Sequence, residues 1–191
     1  SAAAGIALAH LAEKNEWNIR VVVYGTPAEE RYSGKTIMAN AGAFRDLTVC
    51  LGWHPLDHND CGMTKFKAIS SFEIIFHGKK AHACNCPELG RSALDACELM
   101  NVGCNYLREH VNRDCYFHYC YTNGGEVPNI VPDQASVWYL ARAYTFWEMK
   151  ALRERILDVA RGAALMTGTQ MEYRISSENP ENRLNFTLSK L

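Results

Sequence analysis

The sequence predicts a mixed α/β chain in which a compact β-α-β-β-α-β unit interrupts pieces of a second α/β layer. Two observations predict the unit. Leu94, Cys97, Met100, Cys104, Leu107 and Val111 recur at helical spacing, as do Phe146, Met149, Leu152, Ile156, Val159, Ala160 and Ala163. Short β-type runs flank both stretches. A third observation predicts the outer layer: a small-residue helix precedes a continuous β-branched run near the start of the chain. With 191 residues, 48% hydrophobic and 21% charged, the chain is globular and large enough for one or two domains.

Residues 2–14 are helical by propensity, and so rich in small apolar side chains that the helix is expected to pack on something. Residues 19–24 read as a strand, continuous rather than alternating, as in a strand buried on both faces. Gly25-Thr26-Pro27 turns the chain, and Ala28-Glu29-Glu30 follows. Lys35 to Ala41 reads as a short helix ending at Gly42, and 47–51 as a second strand running into Gly52-Trp53-His54-Pro55. From about residue 66 the pattern changes. Residues 71–77 form a strand ending at Gly78, 91–111 a long helix, and 115–121 a strand closed by Thr122-Asn123-Gly124-Gly125. A strand at 137–143, a helix from Phe146 stopped near Gly168, and a strand at 170–175 complete the order. That order is the ferredoxin-like split βαβ, with two helices over one face of a four-stranded antiparallel sheet. The predicted organisation is therefore an incomplete α/β sheet domain over 1–65, the inserted unit over 66–175, and a polar return over 176–191.

Charge and composition exclude several classes. Twenty basic and 21 acidic residues give a net charge of −1, with no basic block, which argues against nucleic acid. Apolar runs are far too short to span a membrane, and no charged leader precedes the apolar start. Eight cysteines are present, none in a Cys-x-x-Cys pair, and Cys97, Cys104 and Cys120 fall in segments read as buried faces. A chain with this much core does not need a disulfide framework, so mostly reduced thiols and a cytoplasmic setting are expected. The terminal Ser189-Lys190-Leu191 matches the peroxisomal tripeptide.

Several residues carry chemistry. Glu29 and Glu30 follow a strand-like run, where open α/β sheets bind ligands. In extended backbone neighbouring side chains point oppositely, so one carboxylate could hold a metal while the other moves a proton. A solvated acidic turn is the simpler reading of the pair alone. His54 sits past the next expected strand, and carboxylate with imidazole is a zinc-type donor set, although two donors are one short of a catalytic centre. Asp57, His58 and Asp60 fall in a polar loop. His82-Ala83-Cys84-Asn85-Cys86 has the wrong spacing for a zinc cluster, and its cysteines read as small residues in a tight loop. Asn129 sits on an inter-strand loop as a turn former. Arg142, near a strand end, could fork onto a carboxylate or make an ordinary surface ion pair.

Taken together, Gly25 to Glu30, Trp53-His54-Pro55, Phe76 to Ala83, Pro87 to Ala96, and Asn123 to Asp133 resemble the M20 metallopeptidase/amidohydrolase family. The resemblance extends to its aminobenzoyl-glutamate hydrolase branch, which Arg161 to Thr169 also fits. It implies an α/β catalytic domain with two divalent metal ions, zinc and sometimes manganese. It also implies an inserted ferredoxin-like lid through which two copies dimerise, and a small-molecule amide substrate. On that basis Glu29 corresponds to the general base, Glu30 and His54 to metal ligands, and His82 to a lid histidine that reaches the partner subunit's site and steadies the oxyanion. Asn129 and Arg142 correspond to groups that hold the substrate's carboxylate or amide.

The departures are equally specific. Arg31 and Tyr32 stand where glycines follow the Glu pair in this branch, and several cysteines stand for Ala or Val. The family's His-x-Asp motif, its bridging ligand and a final histidine are not found, which leaves two of five ligands. The resemblance thus implies an internal fragment, inactive alone, in which Ser189-Lys190-Leu191 begins a continuing helix. Two functions follow as expectations. One is a metal-dependent amidohydrolase acting on an N-acyl or aminobenzoyl amino acid, with an aminoacylase or dipeptidase differing only in substrate. The other is a non-catalytic dimerisation or binding module of the same descent.

Overall fold

The computed structural model describes residues 1–61 and 64–190 and divides into two compact units, Ser1–Gly62 and Met63–Leu191. Leu191, the last residue of the tripeptide noted above, lies outside the described residues.

The first unit holds three helices, α1 (Ala2–Lys14), α2 (Glu29–Tyr32) and α3 (Gly34–Asn40). Helix α1 forms as its alanines predict, but of its side chains only Ala12 is buried; Ile6 is 72% exposed. Its close approach is at Gly5, where a Cβ would stand 2.4 Å from Val23 Cγ2. The strands expected at 19–24 and 47–51 do not form. Val22 and Val23 are instead exposed, as are Leu51 and Trp53. A β-branched run prefers extended backbone, but cross-strand pairing is what stabilises a strand. All four strands of the described sheet come from the second unit, so among the described residues these runs have nothing to pair with.

The second unit is the predicted β-α-β-β-α-β arrangement: β1 (Ala68–His77), α4 (Ala93–Leu107), β2 (Tyr116–Asn123), β3 (Gln134–Ala143), α5 (Phe146–Thr167) and β4 (Gln170–Asn179). The sheet order is β2-β3-β1-β4 and every pairing is antiparallel. The central strands β1 and β3 each pair on two sides. Strand β4 runs four residues beyond its expected end, with Asn179 opposite Ile69. The expected helix at 91–111 is shorter at both ends. Ser92 caps it by accepting the Asp95 amide at 3.1 Å, and it tightens to a 3-10 turn over Arg108–His110. Helix α5 opens with a capping box between Thr145 and Glu148 and closes on Gly168, whose φ of 66° suits glycine.

Alternation sends Phe72, Ile74 and Phe76, with Phe117, Val137 and Tyr139, to the helix side of the sheet. There they meet Cys97, Met100 and Cys104 of α4 and Leu152, Ile156 and Ala160 of α5, all buried. Within this core Tyr139 Oη donates to Asn101 Oδ1 at 2.7 Å, and Asn101 Nδ2 donates to Tyr121 Oη at 2.9 Å. Cys120, expected to be buried, is exposed. It lies opposite Trp138, on the face away from the helices and on an edge strand. The chain enters and leaves this unit side by side: Asn182 Nδ2 donates to the Thr64 carbonyl at 3.0 Å, and the Phe66 amide donates to Asn182 Oδ1 at 2.7 Å.

Candidate functional site

Past the end of β1 the chain is held on both sides by backbone bonds. Gly78 N donates to Asp133 O at 2.8 Å, and Lys79 and Arg91 exchange two bonds at 2.8 and 3.0 Å. Val131 N then reaches Ala81 O at 2.9 Å, and Ala83 N reaches Asn129 O at 3.0 Å. Glycine is required at 78 because a Cβ there would stand 2.0 Å from the Arg91 carbonyl oxygen. These bonds set His82 opposite Ile130 in an isolated β-bridge, so His82 and Asn129, 47 positions apart, become neighbours at one end of the sheet.

The His82 side chain is exposed, yet its ring is fixed. Nδ1 accepts the main-chain amides of Cys84 at 3.2 Å and Asn85 at 3.3 Å. Amides only donate, so Nδ1 is the acceptor nitrogen and Nε2 carries the proton of the neutral ring. Nε2–H is the donor left over. Arg142 is elsewhere. It pairs with Ile69 and Tyr116 at the far end of β3, about 27 Å of strand from Gln134 at a rise of ~3.4 Å per residue.

In the first unit Glu29 and Glu30 lie on the single turn of α2, not on extended backbone. Their side chains therefore diverge by about 100°, instead of pointing oppositely. The turn sits between two left-handed residues, Ala28 (φ 57°) and Ser33 (φ 51°), a kind of backbone strain that collects at functional sites. Lys35 holds both oxygens of Glu29: its Nζ is 3.1 Å from Oε1 and its amide donates to Oε2 at 3.0 Å. Partial burial pushes the Glu29 carboxyl up, but the Lys35 amide, ammonium and charge together outweigh it, and the group titrates below the ordinary carboxylate value. Glu30 and His54 are exposed; His54 Nδ1 lies 3.0 Å from the Pro55 carbonyl.

A model of the peptidase dimerisation domain of the M20 family matches residues 64–165, which takes in both helices, the His82 loop and three of the four strands. The chain belongs to the M20 family. Among its M20 relatives, a p-aminobenzoyl-glutamate hydrolase polypeptide of Escherichia coli is 42% identical over 175 residues, 90% of this chain and 36% of that protein. The Xaa-Arg dipeptidase of Mus musculus is 34% identical over 86% of this chain and 38% of its own length. The chain thus spans little more than a third of the length of these two relatives. An aminobenzoyl-glutamate utilization protein from Klebsiella pneumoniae shares the fold with a TM-score of 0.58 and 24% identity, covering 65% of this chain and 32% of that one.

Glu30 and His54 are donor types that suit zinc or manganese. Among the described residues, however, no three His, Cys, Asp or Glu side chains gather to hold a metal ion. The residues present do not by themselves make an M20 metal centre. Two further features of the site carry little sequence signal. Lys35 partners Glu29 across a turn that propensity does not reveal. The Asn129–Ala83 bond depends on a bridge between loops, for which the only local hint is the Gly78 and Gly90 punctuation.

Proposed function

We propose that the protein carrying this chain hydrolyses an amide bond of an N-acyl or aminobenzoyl amino acid, with Glu29 as its general base and His82 as its oxyanion donor. The observation that carries the reading is the His82 ring. With Nδ1 occupied by two amides, Nε2–H is a preset donor of the kind a developing oxyanion needs, worth ~3 kcal/mol in a closed site. Glu29 is kept ionised by Lys35 and so can take a proton from an attacking water. Asn129, beside His82, offers its side-chain amide to the substrate's carboxylate or amide.

Glu30 and His54 are proposed as two of the donors to a pair of zinc or manganese ions, the rest coming from the part of the relatives' length that this chain does not span. When bound, such metals supply Lewis acidity to the attacking oxygen. The exposure of Val22, Val23, Leu51 and Trp53 supports a role as part of a larger sheet domain, because apolar runs of this kind ordinarily face protein.

A homodimer through the second unit is part of the same proposal. Strand β2 is an edge of the sheet, and α4 presents Leu99, Val102 and Tyr106 at helical spacing, with Tyr106 75% exposed. The family's dimerisation role favours a second copy as the occupant. A two-fold pair also answers the position of Arg142. It is too far along β3 to share a small substrate with its own chain's His82 and Asn129, but it can share one with those of the partner.

The test uses the product of the complete gene, assayed on p-aminobenzoyl-glutamate and on an Xaa-Arg dipeptide, with zinc and manganese measured alongside. The expected result is metal-dependent turnover of one of the two, lowered about 100-fold or more by Glu29→Gln and by His82→Ala in folded protein. A product that binds neither metal and hydrolyses neither amide would leave the second reading, a non-catalytic dimerisation module, which the ungathered donors favour. Full activity in Glu29→Gln would remove the assigned base.

A further inference from the structure

We propose that Cys84 and Cys86 form a redox-modifiable pair, which a small-molecule disulfide of the glutathione class converts to an intraloop disulfide that releases the His82 ring. The consequence for activity rests on the role given to His82 above; the loop chemistry does not.

Cys84 is exposed and Cys86 partly so, and both are free thiols. They are the only two cysteines in the sequence separated by a single residue. The loop that holds them is one closed turn: Cys86 N donates to the His82 carbonyl at 3.2 Å, and the Cys84 and Asn85 amides inside it are the two donors on His82 Nδ1. Cys84 lies within that turn, and Cys86 leaves it in a non-helical conformation, φ −153° and ψ 50°. A sulfur–sulfur bond needs Cβ atoms about 3.5–4.5 Å apart. Between residues two apart it closes a small ring through the backbone from Cys84 to Cys86, the stretch that carries the amides on His82 Nδ1. Closing that ring re-aims those amides, which makes the pair a switch. A short exposed disulfide of this kind is also readily reduced, so the change is reversible.

The chemistry balances in two exchanges. The Cys84 thiolate attacks one sulfur of the reagent, breaks its S–S bond and expels one thiol, leaving a mixed disulfide. The Cys86 thiolate then attacks the Cys84 sulfur, forms the intraloop bond and expels the second thiol. The protein gives up two protons and two electrons, and the reagent disulfide is reduced to two thiols.

The experiment treats the full-length protein with oxidised glutathione and maps the tryptic peptide of residues 81–91, whose only cysteines are these two. A loss of two hydrogens from that peptide is expected, reversed by dithiothreitol, together with a changed ¹⁵N signal of His82 Nδ1. Amide hydrolysis is expected to fall at least about tenfold in parallel, in line with loss of one oxyanion donor. In Cys86→Ala the reaction stops at a single glutathione adduct on Cys84. A peptide that stays in the dithiol form, or takes only adducts with Cys86 present, overturns the proposal. So does a cross-link that leaves the His82 nitrogen signal unmoved. Full activity in His82→Ala would instead remove the catalytic role of His82 and leave the mass and ¹⁵N readouts to judge the switch on their own.

Discussion

Replacing Gly78 with alanine tests the link between the sheet and the His82 loop. The added Cβ would stand 2.0 Å from Arg91 O, 3.0 Å from Arg91 C and 3.1 Å from Ala93 N. All three are backbone atoms, so no flexible side chain can yield. Restoring ordinary contact takes a shift of more than an ångström between the two segments. That carries the 2.8 and 3.0 Å bonds between Lys79 and Arg91 beyond hydrogen-bonding range. Two such bonds contribute about 1 kcal/mol each, and the stranded groups add about as much again. Reduced freedom of the unfolded chain returns about 0.4–1 kcal/mol. The net expectation is a loss of about 3–3.5 kcal/mol, which at ~2 kcal/mol per molar lowers the urea midpoint by more than about 1.5 M. Circular dichroism measures the midpoint, and the His82 ring nitrogens report the loop. A variant that unfolds at the wild-type midpoint with an unchanged His82 signal would refute the packing argument.

Three further outcomes are expected. Lys35→Met removes the ammonium that lowers the Glu29 carboxyl, so that carboxyl should titrate at higher pH by ¹³C NMR, and the acid limb of any hydrolysis should move up with it. A lowered carboxylate adds stability above its unfolded value and loses it as pH falls through the folded one, so wild type and variant should converge in stability on acidification. Burial, with help from the Glu98 charge, pushes the Cys97 thiol up to about 12. At pH 8 Cys97 and Cys104 should therefore resist alkylation in the folded chain, while exposed Cys50, Cys61 and Cys84 react; equal labelling of all would contradict the core placement. Tyr139→Phe takes the donor from buried Asn101 Oδ1 and should cost about 1–2 kcal/mol in a urea titration, whereas an unshifted midpoint would mean that the carbonyl finds another donor.

The second unit was legible because two independent signals agree there. Period-three-to-four apolar spacing marks α4 and α5, and alternating strands present Phe72, Ile74 and Phe76 to them. Cys120 was misplaced because it falls on the face opposite Phe117, away from the helices, and β2 is an edge strand, whereas the sequence alone does not say which face the helices cover. The Val21–Val23 run failed for a different reason. Its composition favours a strand, but pairing is supplied by other segments, and none of the described residues in its unit supplies it. The site residues divide the same way. His82 and Asn129 meet through backbone bonds of the well-packed unit, which no local spacing could reveal. Glu29 and Glu30 were recognisable as a motif, while their helical geometry and the Lys35 partner of Glu29 were not.

The distribution of the core explains why the candidate residues of the two units differ in how they are supported. Among the described residues, every buried apolar side chain apart from Ala12 belongs to the second unit. At about 25 cal/mol per Å² of apolar surface removed from water, nearly all hydrophobic stabilisation falls there. The His82 loop inherits that rigidity, because the bonds that fix it lead back to the strands and helix of the packed unit. Glu29, Glu30 and His54 have no such foundation. Their geometry rests on local turns, two left-handed residues and, for Glu29, the ion pair with Lys35. A preorganised oxyanion donor can exist on a small self-sufficient fold, whereas a multi-ligand metal centre needs several elements locked together at once. The Nε2–H of His82 is therefore the part of the proposed chemistry that this chain can present by itself, and the carboxylate pair is the part that depends on a larger sheet.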